Sequence, residues 1–176
     1  MSTTVKWGLI TGMVYVAFSL VSNLLGVQQG AGGNLGLGML IGLLQFITTF
    51  FTIFLGVKET RNEDLGGYLT LSQGFKTGLK IAFIASLMAG VFTMIYMQFI
   101  DPEMADRMMS ASEAQMDEMN VPEERRETSL KWTGYMTNPF IMGGFMIVWI
   151  TFWGMLKGLV AGLILKKDPP ITIPQV

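Results

Sequence analysis

The sequence predicts an all-α integral membrane protein, with four transmembrane helices and a helical extracytoplasmic cap between spans three and four. Three observations carry this. Apolar residues make up 51% of the 176-residue chain and charged residues only 14%, against about 25% charged in ordinary soluble domains. The charges are gathered into a few stretches. Between them lie four runs with little or no interior charge: Trp7 to Val27, Leu35 to Val57, Ile81 to Ile100 and Phe140 to Leu165. Each reaches the ~20 residues that cross about 30 Å of hydrocarbon at 1.5 Å per residue. Lipid offers no partners for backbone groups, so the spans must be helices or a closed barrel. The runs are continuous, unlike the ~10-residue alternating strands of a barrel. The whole chain, 1–176, reads as a single membrane domain with spans at about 7–27, 35–57, 78–100 and 140–165 and an outer segment at 101–138.

The first run is of full spanning length and no A-x-A-like cleavage site follows it, so it is expected to be a retained helix rather than a signal peptide. Gln28 to Asn34 is short, uncharged and Gly-rich, which makes the first two helices an antiparallel hairpin. The second connection, Lys58 to about Lys80, carries Lys58, Arg61, Lys76 and Lys80; Gly66-Gly67 marks a turn in it, and Ser72 is placed to cap a helix beginning at Gln73. The third connection, Asp101 to Asn138, holds nine carboxylates against four basic residues. Asp101-Pro102-Glu103 reads as N-cap, N1 proline and first-turn acid, and Asn120 as the cap of a second short helix. Asn138-Pro139 breaks the chain before the last span. Pro169 and Pro170 end that span's helical tail.

Lys6, the second connection, Lys157 and the tail hold eight of the twelve basic residues. Lys and Arg excess marks the cytoplasmic side, so both termini are expected there, with the Gly-rich turn and the acidic segment outside. Trp7 and Tyr68 near one interface, and Tyr96, Trp132 and Tyr135 near the other, fit aromatic belts; Trp149 and Trp153 lie deeper and are expected to pack against neighbours.

Net charge is -1, so nothing favours nucleic acid as a partner. The chain has neither cysteine nor histidine, which excludes disulfides, thiol catalysis and zinc sites of the usual kind; no cofactor or resident metal is expected. A serine nucleophile would lack its usual base, so an enzyme is the least expected class. The outer carboxylates are scattered and form no EF-hand loop; they read as a solvated surface.

Several features point to contacts or function. Tyr15, Ser19, Ser22 and Asn23 lie on one face of the first helix, and Gln45, Thr48, Thr49 and Thr52 on one face of the second. Interhelical hydrogen bonding is the first reading and a polar path for a small solute the alternative. Small residues recur every four positions at Gly8/Gly12, Gly38/Gly42, Gly74/Gly78 and Gly154/Gly158/Gly162. These faces let backbones approach closely; for the Gly154 series packing inside the bundle is preferred to a homo-oligomer seam. Lys157 is the one charge well inside a span. At about 26 Å along its helix from Phe140 it falls near the inner interface, where snorkelling is the favoured expectation and a substrate or coupling role the alternative. Met104, Met108, Met109, Met116 and Met119 on the outer segment suggest a soft apolar face, with Cu(I) binding the lesser alternative.

The stretch from Gly66 through Gly67, Tyr68, Leu69, Thr70, Leu71, Ser72, Gln73 and Gly74 to Phe75 and Lys76 is the most distinctive. It is either an interfacial entry into the third helix or a docking segment. Together with Lys58-Glu59 ending the second span, Gly78, and Phe99-Ile100-Asp101-Pro102 leaving the third, it resembles domain-of-unknown-function family 4199, small four-span membrane proteins of Bacteroidota. The resemblance covers nearly the whole chain. It implies a bacterial inner-membrane protein of one domain and brings no activity, substrate or catalytic residue. The expected role is a non-enzymatic scaffold or accessory subunit, with the lipid bilayer and other membrane or envelope proteins as partners. A small-solute or ion transporter or channel on the Gln45–Thr52 face, with Ser19, Asn23 and Lys157, is the alternative.

Overall fold

A computed structural model describes residues 1–27 and 35–168. The Gly-rich connection from Gln28 to Asn34 and the prolines Pro169 and Pro170 lie outside the described residues. Six α-helices follow in order: α1 (Thr3–Leu24), α2 (Leu35–Glu59), α3 (Leu71–Ile95), α4 (Met104–Glu118), α5 (Glu123–Met136) and α6 (Pro139–Leu165). α2 and α3 each run on through a wide π-type turn, Thr60–Asp64 and Tyr96–Ile100. Both turns close with bonds of i→i−5 spacing, from Leu65 N–H to Thr60 O at 3.1 Å and from Asp101 N–H to Tyr96 O at 2.8 Å. Four helices are long and apolar enough to cross a membrane: Thr3–Leu24, Gly36–Asp64, Leu71–Ile100 and Pro139–Leu165. α4 and α5 form the cap between the third and fourth spans.

The element boundaries depart from the sequence expectations where hydropathy is a poor guide to helix ends. α1 starts at Thr3, ahead of Trp7, and ends at Leu24 in a Schellman turn: Gly26 takes φ +65°, its N–H bonds Asn23 O at 3.0 Å, and Val27 N–H bonds Ser22 O at 2.9 Å. α3 starts at Leu71, just ahead of the expected Gln73. Thr70, not Ser72, is its cap. Thr70 Oγ1 accepts from Gln73 N–H at 3.3 Å and Gln73 Oε1 accepts from Thr70 N–H at 2.8 Å, a reciprocal capping box. Thr70→Ala is expected to lower stability by about 1 kcal/mol, read as a shift in the detergent-phase melting midpoint.

The cap also begins later than expected. α4 opens at Met104, with Asp101 two turns' reach away pairing with Arg107. Asn120 does not cap α5; it terminates α4 in the left-handed region at φ +49°, with Asn120 N–H on Asp117 O at 3.1 Å and Val121 N–H on Met116 O at 3.0 Å. Asn tolerates that conformation better than other residues with a Cβ, so its short side chain serves a C-terminus here. Asn138 does cap α6, accepting from Phe140 and Ile141 N–H with Pro139 at N1.

α3 is the central helix, clasped between α1 and α6. Along the α3–α6 seam glycine meets glycine: a Cβ on Gly74 would lie 2.6 Å from Gly162 Cα, and one on Gly158 would lie 2.7 Å from Gly78 Cα. Gly154 faces Ala82, and Gly143 faces Gly90. The Gly154 series is thus buried against α3 of the same chain. On the other side of α3, Gly8 meets Ile84 and Gly12 meets Met88. The apolar core gathers at the end where α1 starts and α6 finishes: Ile53, Val57, Leu69, Ile81, Ala82, Ala161 and Leu165, with Trp7 against them. At that end Glu59 ties α1 to α2, accepting from Lys6 Nζ at 2.7 Å and Trp7 Nε1 at 2.9 Å.

The outer faces are oily throughout. Phe83, Leu87, Val91 and Ile95 form an exposed stripe on α3, and Val148, Phe152, Val160 and Leu163 remain exposed on α6. Such surfaces are ordinary against lipid and too extensive for a soluble monomer.

Candidate functional site

The polar face of α2 meets α6 across a loose seam, and a cavity of about 350 Å³ opens there. Gly42, Gln45, Phe46 and Thr49 of α2, Tyr15 of α1, and Phe145, Met146, Trp149, Ile150, Trp153 and Lys157 of α6 line it. On α6, residues 145, 149, 153 and 157 recur every four positions, so three aromatic rings and the lysine stack along one stripe. Phe145 and Trp149 are stacked at 6.0 Å between centroids, and Trp149 meets Trp153 edge-on at 5.9 Å. Phe46 and Trp149, 46% and 49% exposed, border the cavity at the surface of the bundle.

Lys157 departs from the snorkelling expectation. It is 4% exposed. Its Nζ donates to Thr49 Oγ1 at 2.6 Å and lies 4.3 Å from the centroid of the Phe46 ring. The side chain has turned inward because Gly158 and Gly154 hold the α6 backbone hard against α3, while Thr49 and Phe46 offer an acceptor and a π-face on the α2 side. An ammonium has three donors. One goes to Thr49, and none of the ion pairs among the described residues includes Lys157.

The α2 hydroxyls are tied into a ladder that runs from the lysine toward the core. Thr49 Oγ1 lies 2.7 Å from Gln45 O and 3.1 Å from Phe46 O. Thr52 Oγ1 donates to Thr49 O at 3.0 Å. Thr11 Oγ1 lies 2.9 Å from Thr52 Oγ1 and 2.7 Å from Trp7 O. Interhelical bonding of α1 to α2 therefore accounts for Thr52, while Gln45 and Thr49 face the cavity. Thr48 is half-buried and lines neither this cavity nor the next.

Ser19 and Asn23 face a second cavity, of about 310 Å³, nearer the cap, shared with Thr93, Tyr96 and five methionines. Met146 borders both cavities. A third hollow at the cap's edge includes Asn23, Tyr96, Asp101 and Arg107. There the hydrogen-bonded Asp101 carboxylate holds the Arg107 guanidinium above its ordinary pKa.

The segment Gly66–Phe75 is engaged with its own chain. Gly66 and Gly67, at φ +62° and +89°, turn the backbone. Leu69 then pairs with Lys167 in an antiparallel bridge, both N–H···O distances being 2.9 Å. Lys167 Nζ lies 5.5 Å from the Tyr68 ring centroid, and Arg61 reaches Leu165 O at 3.4 Å. Gln73 is used in the α3 cap, and Phe75 is half-buried. The segment clasps the start of α3 to the end of α6.

Sequence reasoning grouped Gln45, Thr49 and Lys157 in one candidate polar path but gave no notice of the Lys157–Thr49 bond that joins α6 to α2. It missed the aromatic wall, although the four-residue recurrence from Phe145 to Lys157 was a legible signal. It also missed the two bonds to Glu59, for which no local pattern gives notice.

No curated protein and no solved structure matches this chain. The family model described as protein of unknown function (DUF4199) matches residues 6–167, and the chain belongs to that family.

Proposed function

We propose that this protein binds a small, partly apolar anion inside the membrane and handles it as a solute, by passage or by capture from the lipid phase. The observation that carries this reading is Lys157: a cation inside a span, buried, without a carboxylate partner among the described residues, at the wall of a cavity. An intramembrane charge of this kind is costly to keep and marks a substrate or ion site by default. The cavity's size lies at the small end of ligand pockets, and its lining is mostly apolar with a few convergent polar groups, as such pockets are. Lys157 supplies the counter-charge. Tyr15 and Gln45 supply neutral hydrogen bonds. Trp149, Trp153 and Phe145 receive the apolar part.

We infer a non-enzymatic role: the chain has neither histidine nor cysteine, and the one hydroxyl bonded to Lys157, that of Thr49, is tied to the Gln45 and Phe46 carbonyls rather than aimed at the cavity as a nucleophile. The excess of basic residues at the end where α1 starts and α6 finishes supports a cytoplasmic location for both termini, and the family resemblance supports a bacterial inner membrane. A scaffold role would rest on the cap alone, since the Gly66–Phe75 segment is engaged in contacts within the chain. Lys157 favours solute handling.

Benzoate and naphthoate, titrated against the purified protein in nanodiscs and read by tryptophan fluorescence, are expected to give saturable changes. Their neutral amides should bind about tenfold or more weakly, because a hydrogen bond to a charged group contributes about 1.5–3 kcal/mol. Equal responses to acid and amide, or no saturable response, would remove this reading.

A further inference from the structure

The second cavity has a different chemistry. Ten of the fifteen methionines fall between Met94 and Met146, and five of them, Met97, Met104, Met108, Met142 and Met146, surround one space of about 310 Å³. They come from the turn that ends α3, from α4 and from α6, so only the folded chain assembles them. Met97 and Met104 are buried.

The ordinary use of methionine is to fill irregular gaps, since its unbranched side chain adapts to whatever space is left. Here the residues best able to fill a gap stand around one that stays open. A core that merely needed filling would close this space with the same five side chains. Thioethers have a second property: they are soft donors that select Cu(I) over the hard divalent ions. No group of three or more carboxylate, histidine or cysteine side chains able to hold a metal exists among the described residues, so the donors present are soft ones.

We propose that the methionine-lined cavity beneath the cap binds a soft monovalent metal ion, Cu(I) or its congener Ag(I), through thioether sulfurs. Rotation about three side-chain bonds lets the sulfurs converge on an ion smaller than the cavity. Thioethers are neutral, so the bound ion keeps its positive charge. Tyr96 lines the same cavity and brings an aromatic ring of the kind that attracts cations. The Asp101 carboxylate stands in the adjoining hollow that shares Asn23 and Tyr96. This site is separate from the one at Lys157, which lies about 16 Å further along α6 from Met146 at 1.5 Å per residue.

The test uses the full-length protein in detergent or nanodiscs, in chloride-free buffer. Silver nitrate is titrated by calorimetry, and Cu(I) is partitioned against bathocuproine disulfonate. X-ray absorption at the copper edge reads the ligand atoms. Saturable binding of one ion with a sulfur-dominated shell is expected. The triple variant Met97→Leu, Met104→Leu, Met108→Leu should bind about tenfold or more weakly, because leucine keeps the volume but has no donor. Met13→Leu and Met39→Leu, both exposed away from the cavity, should bind as the parent does. If the triple variant fails to fold, Met108→Leu alone carries the comparison with the same direction of change. Absence of saturable binding, a shell of oxygen or nitrogen, or an equal loss in the Met13 and Met39 variants overturns the proposal. None of these results bears on anion binding at Lys157.

Discussion

Gly78→Leu is expected to abolish the folded bundle, and Gly78→Ala to destabilise it by about 1–3 kcal/mol, the usual cost of overpacking a filled interior. The reason lies in what a new Cβ would meet. On Gly78 it would overlap Gly158 Cα and lie 3.3 Å from the Gly158 N and C atoms. These are backbone atoms and have no rotamer to move to. Relief requires α3 and α6 to separate, and separation at one point opens the neighbouring contacts at Gly74–Gly162 and Ala82–Gly154. In lipid there is no hydrophobic drive to hold the two helices together at a longer distance, so close packing is the main attraction that is lost. Gly144 is the control, since nothing lies within 4 Å of a Cβ built there; Gly144→Ala should keep or slightly raise the melting midpoint, alanine being the better helix former. Loss of helical circular dichroism on heating in detergent reads all three. Equal losses for Gly78→Ala and Gly144→Ala would show that the seam does not hold the bundle.

That seam and the four spans were legible in the sequence because both depend on residue type at fixed spacing. Twenty apolar residues in a row state a span, and glycine every four positions states a close helix contact. What was not legible depends on direction and on distant partners. Position along α6 put Lys157 near an interface, but the side chain's turn toward Thr49 follows from which face of α6 is pinned by Gly154 and Gly158 against α3. The α3 cap falls two residues before the expected Ser72 because Thr70 and Ser72 both offer a hydroxyl there, and only the reciprocal bonds between Thr70 and Gln73 select Thr70. Asn120 was assigned to the wrong helix because an Asn between two helices suits either end; only its φ of +49° separates the cases. Leu69 and Lys167 are 98 positions apart, counting 167 less 69, and no periodicity announces their bridge.

Lys157→Met is expected to separate the two things the lysine does. Anion binding should fall by roughly tenfold to a hundredfold, since the charge-assisted hydrogen bond and the counter-charge vanish together. Stability should be unchanged or higher. The native ammonium is buried with one hydroxyl acceptor and a ring face, and no carboxylate among the described residues offsets its desolvation. Replacing a buried charge by an apolar side chain of similar volume is often neutral or stabilising for that reason. Methionine keeps the length of the stem and hence its packing against Phe46. Thr49→Val gives the complementary result: Lys157 keeps its charge but loses its anchor, so affinity should fall by less than in Lys157→Met while stability falls, the hydroxyl's bonds to Gln45 O and Phe46 O going with it. A structural lysine would behave the opposite way. If Lys157→Met melts several degrees lower and binds benzoate and naphthoate as tightly as the parent, then the ammonium holds α2 to α6 through Thr49 and the cavity beside it is a packing gap of the helix pair.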